Sequence, residues 1–388
     1  MIIDFLSPVT EEVIAHAKLQ DKQSLGSVIS YFRVNEEFPE VEKDDIVIVG
    51  VRESRNDVNY LGEEPSFNNI RKSFAELFPG NWSSRIIDIG DIQSGETVSD
   101  TYFALKKVVE LVVKVGAIPV VLGGSHDLTY AMYRAYDNLD QMVNLVCVDA
   151  KFDLKDPTEG IKNNNYMNSV VVDEPNNLIS FSNIGFQTYY NSQEEIDLLE
   201  KLYFETYRLG EVSNDISVIE PITRDADIVS FDMTAIQASE ISNGFGYNSP
   251  NGFSGKEACA IARYAGVSNS VSSFGLFELS NKMSDSGVML TAQMLWYFIE
   301  GVHCKITEPS LSSESSYKKY IVPSQDYDFV FYESLLSRRW WVKLPDNEEG
   351  NNNIKKHSLL SCTQEDYLIA CDQQIPKRIY KAFRKNLI

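Results

Sequence analysis

The sequence is poor in histidine, in cysteine and in basic residues, and it has no long apolar run. It contains 4 histidines and 5 cysteines among 388 residues, and its 35 lysines and arginines are outnumbered by 56 aspartates and glutamates. The resulting net charge of −21 repels phosphates, which argues against a nucleic-acid partner. Since no apolar stretch approaches the roughly 18 residues that a membrane-spanning helix needs, we expect no membrane segment.

The five cysteines are scattered along the chain and belong to no C-x-x-C pair. Their pattern therefore predicts neither a disulfide framework nor a zinc cluster. Cys147 and Cys259 lie in apolar runs and are expected to be core residues.

The first residues, Met1-Ile2-Ile3-Asp4, lack the basic stretch and apolar run of a secretory signal, so we expect a cytoplasmic protein.

What the chain does contain is an alternation of short apolar runs with helical patterns. The runs at 46–51, 120–122, 145–148 and 228–231 are rich in β-branched residues, as parallel strands buried on both faces are. Further strands are predicted at 85–89, 178–185 and 271–279. Helices are predicted at 66–78, 97–115, 128–136, 193–209, 256–264 and 286–301, the fifth capped by Ser254 with Glu257 in a capping box. This order predicts an α/β domain over residues 1–303.

The character of the sequence changes after about residue 303. A serine-rich linker at 310–316 precedes two aromatic-rich strands at 328–332 and 339–343, and a polar stretch at 346–356 precedes a helical segment at 364–370. We predict a small C-terminal α+β appendage over residues 304–388. Trp340 and Trp341 fit either of two interpretations: simple packing of the appendage on the main sheet, which is favoured, or a contact with a partner or a second copy.

Side chains that can bind a metal follow three of the predicted strands. His126 follows the run at 120–122, Asp149 and Asp153 follow the run at 145–148, and Asp232 follows the run at 228–231. Ligands of open α/β sheets bind beyond the carboxyl ends of the strands, so we expect these four residues to converge. Acids at strand ends also cap helices, but one imidazole and three carboxylates at three strand ends favour a divalent ion, Mn²⁺ above all.

Six motifs in this order resemble those of the arginase (ureohydrolase) family, across about residues 45 to 300. They are 87–91 (IDIGD), 123–127 (GGSHD), 149–153 (DAKFD), 230–237 (SFDMTAIQ), 251–254 (NGFS) and 274–278 (FGLFE). The GGSHD form and the C-terminal Arg339-Trp340-Trp341 segment are most similar to bacterial formimidoylglutamase-like members. The resemblance implies a three-layer α/β/α fold with a central, mainly parallel sheet. It also implies hydrolysis of a guanidino or formimino C–N bond with two Mn²⁺ ions.

The ligand set that the resemblance implies is complete for one ion only. The family's ligands for the first ion match His126, Asp149, Asp153 and Asp232. At the second ion, Lys151 stands where the family has a histidine and Thr234 where it has an aspartate. An ammonium group cannot ligate a cation, and a neutral threonine is a poor ligand. We therefore expect one Mn²⁺ at most.

At three further positions of the family's site, this sequence either keeps the family's residue or has a different one. The family's proton-shuttling histidine best matches Asn168, and the last aspartate of its strand-end motif is Gln237. Glu278 matches the substrate-side glutamate and is expected to hold the cationic end of a substrate. The Lys151 ammonium is expected to take the place of the second ion beside Asp149, as a catalytic group with Glu278.

Two functions follow from this site. One is hydrolysis of a small guanidino or formimino compound at a one-metal site, in a protein whose association with further copies is left open. The other is a catalytically inactive protein of the ureohydrolase fold that binds a ligand or a partner.

Overall fold

The computed structural model describes residues 2–139, 141–158, 160–241, 249–310, 313–324, 328–344 and 359–386. Its strands are β1 (Leu6–Ser7), β2 (Ser30–Tyr31), β3 (Ile46–Val51), β4 (Ile86–Ile92), β5 (Ile118–Gly123), β6 (Val143–Val148), β7 (Leu178–Phe186), β8 (Glu205–Arg208), β9 (Ile228–Asp232), β10 (Ser273–Phe277), β11 (Tyr317–Val322), β12 (Phe329–Ser334), β13 (Trp340–Lys343) and β14 (Leu359–Cys362). Its helices are α1 (Glu11–Lys18), α2 (Leu25–Val28), α3 (Asn68–Glu76), α4 (Val98–Val115), α5 (Leu128–Arg134), α6 (Met167–Val172), α7 (Gln193–Lys201), α8 (Leu209–Asn214), α9 (Ile219–Arg224), α10 (Ala238–Ile241), α11 (Gly255–Val267), α12 (Asp285–His303), α13 (Gln364–Cys371) and α14 (Lys377–Asn386).

Strands β1 to β10 form one sheet in the order β1-β4-β3-β5-β10-β9-β6-β7-β8, with β2 also pairing with β4. The short β1 runs antiparallel to β4, and the other pairings are parallel. Strands β3, β5, β6, β9 and β10 are buried along their whole length. The apolar runs are therefore central parallel strands, as the sequence predicted.

Helices cover both faces of this sheet. Alternate residues of β3 enter two different hydrophobic clusters, Ile46 and Ile48 on one face and Val47 and Val49 on the other. The first face packs against α1 to α3 and α8 to α12, and the second against α4 to α7. The expected three-layer α/β/α architecture is confirmed.

The prediction of one helix over 193–209 was wrong. Helix α7 ends at Lys201, and residues 205–208 form β8, which pairs with β7. Tyr203 takes a left-handed backbone conformation, with φ of 54°, where the chain turns. Thr206 and Tyr207 favour strands, and an unpaired edge of β7 is available to them.

Strand β4 extends beyond the predicted range of 85–89 and carries the polar IDIGD motif into the core. Arg71 of α3 lies 2.8 Å from Asp88 and 2.7 Å from Asp91, and its side chain is 3% exposed. A buried guanidinium between two carboxylates lets charged residues occupy a buried strand, since each charge has a partner.

The C-terminal part forms a separate antiparallel sheet, in the order β11-β12-β13-β14, with its own hydrophobic cluster. Strands β12 and β13 were predicted, whereas β11, β14 and α14 were not. The polar stretch at 346–356 and part of the linker at 310–316 lie outside the described residues. The division of the chain at residue 303 stays a prediction.

Both tryptophans of the appendage make contacts within the chain. Trp340 is buried and stacks on Tyr320 and Tyr367. The Arg224 guanidinium of the main domain lies 4.7 Å from the ring centre of Trp341 and donates a hydrogen bond of 2.9 Å to the Trp340 carbonyl. These contacts support the packing interpretation of the tryptophans, while association with a second copy stays untested.

Two smaller expectations concern the cysteines and the membrane. All five cysteines are free, and Cys147 and Cys259 are buried as predicted. Across the described ranges, no helix combines the length and the apolar character needed to cross a membrane.

The predicted capping box at the start of α11 is present and gives a test of the fold. The Ser254 hydroxyl accepts from the Glu257 amide, and the Glu257 carboxylate accepts from the Ser254 amide. Ser254→Ala should lower the free energy of unfolding by about 1 kcal/mol, as loss of a helix cap does. The control is Ser24→Ala, because Ser24 precedes α2 without a side-chain cap bond. If denaturant unfolding showed the same loss of unfolding free energy in both variants, the assignment of Ser254 as a stabilising cap would be contradicted.

Candidate metal centre

The candidate residues come from four adjacent strands of the sheet, β5, β10, β9 and β6. His126 follows the end of β5, Glu278 follows β10, Asp232 is the last residue of β9, and Asp149 follows β6. Asp153 lies four residues beyond Asp149 in the same loop. Parallel strands end at one edge of the sheet, which is why residues far apart in the sequence meet there.

The imidazole of His126 faces three carboxylates. Its Nδ1 lies 3.1 Å from Oδ2 of Asp153 and 3.4 Å from Oδ2 of Asp149. Oδ2 of Asp232 lies 3.7 Å from the same nitrogen. Ligand atoms of His126, Asp149 and Asp153 all lie within 4.8 Å of one another, and all three residues are buried. The sequence-predicted ligands are therefore together.

The other ring nitrogen of His126, Nε2, contacts two hydroxyl groups. Its Nε2 lies 3.0 Å from the Ser230 hydroxyl and 3.3 Å from the Tyr166 hydroxyl. The Ser230 hydroxyl also lies 2.6 Å from that of Thr129. These contacts hold the ring so that Nδ1 is the nitrogen directed at the carboxylates, and this nitrogen could bind a metal once its proton is lost.

The carboxylates of the cluster repel one another in a buried place. Burial raises the pKa of Asp149 to about 6, and the charge of Asp153 adds to this effect. Burial and the charge of Asp149 raise the pKa of Asp232 to about 6. Burial lowers the pKa of His126, but hydrogen bonds to Asp149 and Asp153 raise it well above its ordinary value. The cluster is thus an environment that stabilises a cation.

Lys151 contributes a positive charge to the same cluster. Burial lowers the pKa of its ammonium, but Asp149, Asp153, Asp232 and Glu278 raise it to a value above the ordinary one. Its backbone amide donates a hydrogen bond of 2.9 Å to Oδ1 of Asp149. Lys151 therefore lies in the field of the carboxylates, where the sequence expected its charge to be.

The Thr234 backbone and the Gln237 side chain each donate a hydrogen bond to an acidic residue. The Thr234 amide donates a hydrogen bond of 2.6 Å to Oδ1 of Asp232, which orients that carboxylate. The Gln237 side chain donates to Glu240 at 2.9 Å. The first residue acts on the cluster through its backbone, and neither brings a carboxylate to it.

Glu278 is held at the cluster by the backbone of the histidine loop. Its Oε1 accepts from the His126 amide at 2.9 Å, and its own amide donates to the Gly124 carbonyl at 2.5 Å. Glu278 has φ of 59° and Asp153 has φ of 52°, both in the left-handed region. Non-glycine residues in this region cluster at functional sites, because the surrounding structure has to enforce the conformation.

Asn163 and Asp57 belong to the site but were missed in the sequence. The Asn163 side-chain amide donates to Oε1 of Glu278 and to Oδ1 of Asp57, both at 3.0 Å. Burial raises the pKa of Asp57, against the opposing effects of hydrogen bonds from Asn59 and Asn163 and of the Lys151 charge. Asn163 stands in a run of asparagines and Asp57 in a polar loop, so neither showed a spacing that would have identified it.

The position matched to the proton-shuttling histidine lies elsewhere. The Asn168 amide donates to the carbonyls of Lys155 and Asn165, at 2.8 and 2.9 Å, and so stabilises the loop before α6. Two other histidines are also engaged away from the cluster, His16 with Glu76 and His303 with the Ser83 amide. His357 lies outside the described residues.

Two spaces share Asp57, and the smaller of them reaches Glu278. A small space of about 20 Å³ is lined by Asp57, Gly124 and Glu278. A cleft of about 940 Å³ runs from Asp57 past Leu154 to Glu194 and Glu195 of α7. Asp57 therefore lines both spaces and is joined to Glu278 through Asn163.

The bridge through Asn163 can be tested by stability. Asn163→Ala leaves Asp57 and Glu278 without their shared donor, and loss of hydrogen bonds to charged groups should lower the free energy of unfolding by about 1.5 kcal/mol. Asn164→Ala is the control, because Asn164 is the next residue and lines the cleft. Equal unfolding midpoints of the two variants in urea would exclude a bridging role.

The fold and the cluster together define an α/β/α protein with a candidate divalent-metal centre at the carboxyl ends of its strands. A model described as "Arginase family" matches residues 44–300. The chain belongs to the arginase family.

Individual relatives agree with this assignment. A formimidoylglutamase of Staphylococcus epidermidis is 27% identical over 180 residues, which are 44% of this chain and 57% of that protein. The chain spans only a little over half the length of this relative. Among solved structures, Trypanosoma cruzi formiminoglutamase with Mn²⁺ has a TM-score of 0.63 and 19% identity, covering 74% of this chain and 100% of that one. The Bacillus subtilis formimidoylglutamase has a TM-score of 0.63 and 17% identity, covering 72% and 92%.

Proposed function

We propose that this chain is a one-ion hydrolase of the arginase family, acting on a formimino or guanidino C–N bond of a small molecule. The observation that carries the proposal is the convergence of Asp149, Asp153 and Asp232 on His126, with Lys151 in the field of the same carboxylates. An ammonium group there balances part of their charge and leaves one complete set of donors for a single divalent ion. A cytoplasmic location is part of the proposal and rests on the sequence.

The donor set fits Mn²⁺. His126 would offer Nδ1, from which the ion would displace the proton, and Asp149, Asp153 and Asp232 offer carboxylate oxygens that converge on it. Nitrogen and hard oxygen donors of this kind suit Mn²⁺. When bound, such an ion lowers the pKa of water and so supplies a nucleophile at neutral pH.

Other residues of the chain would bind the substrate and assist the reaction. Glu278 would hold the positively charged amidine end of a substrate, with Asn163 and Asp57 keeping its carboxylate in place. Lys151 would donate a hydrogen bond to the oxygen that attacks the amidine carbon and so hold it in position, because a preorganised donor in a site with little water is effective there. In this proposal Lys151 and Glu278 are the catalytic residues.

A second candidate is a protein that binds an amidine without hydrolysing it. It is favoured by one observation, the use of Asn168 in backbone hydrogen bonds, since the matched position then offers no group for proton transfer. A positioned general acid or base contributes about 10²–10⁴-fold to a rate. Without one, the site would be slow or inactive.

Release of product separates the two candidates. The purified protein, loaded with Mn²⁺, is incubated with formiminoglutamate, agmatine or arginine, and ammonia, formamide or urea is measured. Turnover that disappears in Glu278→Gln supports the hydrolase. Saturable binding of one of these compounds without turnover supports the binding protein, and neither binding nor turnover would contradict both.

The metal-binding role of Asp153 has its own expected result. Asp153→Ala removes one of three carboxylates from the donor set, so the protein should lose its tightly bound Mn²⁺ after dialysis. Asp156→Ala is the control, because Asp156 is exposed in the same loop. Metal analysis that finds the same Mn²⁺ content in both variants would exclude Asp153 as a ligand.

A further inference from the structure

Helix α4 carries exposed apolar side chains on its outer surface. Phe103, Leu111 and Val115 are 53%, 41% and 46% exposed, whereas the residues of α4 that pack on the sheet, such as Leu105 and Val108, are fully buried. Exposed apolar residues that occur singly need no explanation, but a group of them on one side of a helix marks an interaction surface.

The outer surface of α4 has five side chains in a symmetrical order. At intervals of three, four, four and three residues, they are Asp100, Phe103, Lys107, Leu111 and Lys114. Intervals of this kind place side chains along one stripe of a helix, which we name the α4 stripe. It is acidic at one end, basic at the other and apolar on both sides of its centre. The α4 stripe is therefore complementary to a copy of itself that runs in the opposite direction.

The lysine at the centre of the α4 stripe is compatible with an apolar contact. The Lys107 ammonium lies 2.9 Å from the Glu110 carboxylate and 5.9 Å from the ring centre of Phe103. Its charge is balanced within the helix, while the methylene groups of the side chain remain available for packing. Phe5 extends the same surface, since its ring packs edge-on against Phe103 with 6.0 Å between the ring centres.

The charge of the chain also favours α4 as a place for two copies to meet. With a net charge of −21, two copies of the chain repel each other. Helix α4 differs from the chain as a whole, because its three lysines outnumber its acidic residues, Asp100 and Glu110. The repulsion between two copies is therefore reduced where two α4 helices face each other.

We propose that the α4 stripe is the contact surface of a homodimer, in which α4 pairs with the same helix of a second copy in antiparallel orientation. A two-fold axis beside Lys107 places Phe103 against Leu111 of the second copy. The same axis places Asp100 against Lys114 of the second copy, and each contact occurs twice, as in every two-fold interface. Exposed ion pairs are weak and contribute more to orientation than to affinity.

The size of the contact sets the expected strength of the dimer. Helix α4 has 18 residues and is about 27 Å long, so one helix pair forms an interface at the small end of the range. Interfaces of this size belong to weak and transient complexes. We therefore expect a dissociation constant in the micromolar range. The dimer does not depend on the proposed reaction.

Sedimentation velocity of the full chain, at concentrations of about 1–100 μM, brackets such dissociation constants. The wild-type protein should change from monomer to dimer within this range. Leu111→Glu places a charge in the contact and should raise the dissociation constant about 30-fold or more, the scale of losing a hot-spot residue. Leu19→Glu is the control, because Leu19 is 84% exposed at the end of α1, on the opposite face of the sheet. It should leave the dissociation constant within about twofold, as surface substitutions do.

Charge reversal at the two ends tests the antiparallel arrangement. Asp100→Lys and Lys114→Glu each bring like charges together in their own homodimer, so each variant alone should associate less than the wild type. An equal mixture of the two variants has opposite charges at both ends of the contact. The mixture should associate about fivefold more tightly than either variant alone, the scale of two exposed ion pairs.

Four results would overturn the proposal. The first is a wild-type protein that remains a monomer at all concentrations, and the second is a wild-type trimer. The third is a dimer that Leu111→Glu leaves intact, because the contact then lies on another surface. The fourth is a mixture of the charge-reversed variants that associates no better than its components, since the two helices then do not pair in antiparallel orientation.

Discussion

Lys151→His combined with Thr234→Asp should raise the number of tightly bound Mn²⁺ ions per chain from one to two. The double change removes the ammonium group from the field of Asp149 and Asp232 and introduces a nitrogen and a carboxylate that can bind a second ion. Metal analysis after dialysis against Mn²⁺ measures the result. The single variants each supply one of the two ligands and should bind the second ion weakly or not at all.

The control for the double variant is Lys155→His combined with Thr234→Asp, because Lys155 is an exposed lysine in the same loop. It should remain at one ion. If the double variant also remains at one ion, Lys151 does not stand in the place of a second ion. Activity is a separate matter: since the Asn168 amide is directed at backbone carbonyls, adding Asn168→His should contribute little, contrary to what the family match alone suggests.

Lys151→Met should lower the free energy of unfolding of the metal-free protein by about 3 kcal/mol. This is the lower end of the range for breaking a buried ion pair, because Lys151 keeps some exposure. The physical cause is the loss of the Lys151 ammonium group, which offsets the charges of Asp149, Asp153, Asp232 and Glu278. Denaturant unfolding in the presence of a chelator measures it.

Lys155→Met serves as the matched control and should change stability by no more than about 0.5 kcal/mol, as surface substitutions do. The loss in Lys151→Met should also shrink when Mn²⁺ is added, since the ion then supplies positive charge to the same carboxylates. Similar stability of the two variants without metal would show that the Lys151 charge does not act on the cluster.

The central sheet and the first-ion cluster could be predicted because their signals are local. Buried parallel strands read as continuous apolar runs, and the acids that follow them must meet at one edge of the sheet. This reasoning identifies His126, Asp149, Asp153 and Asp232 from the sequence alone. The position of Lys151 followed from its place between two of these acids.

Features that depend on contacts between distant segments could not be predicted. The residues at 205–208 continue a helical pattern in the sequence and become a strand because β7 offers an edge. Asn163 joins Glu278 to Asp57, and these three residues belong to separate loops. Arg378 of α14 meets Glu205 and Asp225 only through tertiary packing.

The most direct test of the one-ion site is a crystal structure of the wild-type protein soaked with Mn²⁺, with the metal located by its anomalous scattering. We expect one Mn²⁺ peak, bound by His126, Asp149, Asp153 and Asp232, with the Lys151 ammonium beside the same carboxylates. Two peaks roughly 3.5–4 Å apart, the separation of a two-metal site, with Lys151 turned away from them, would contradict it.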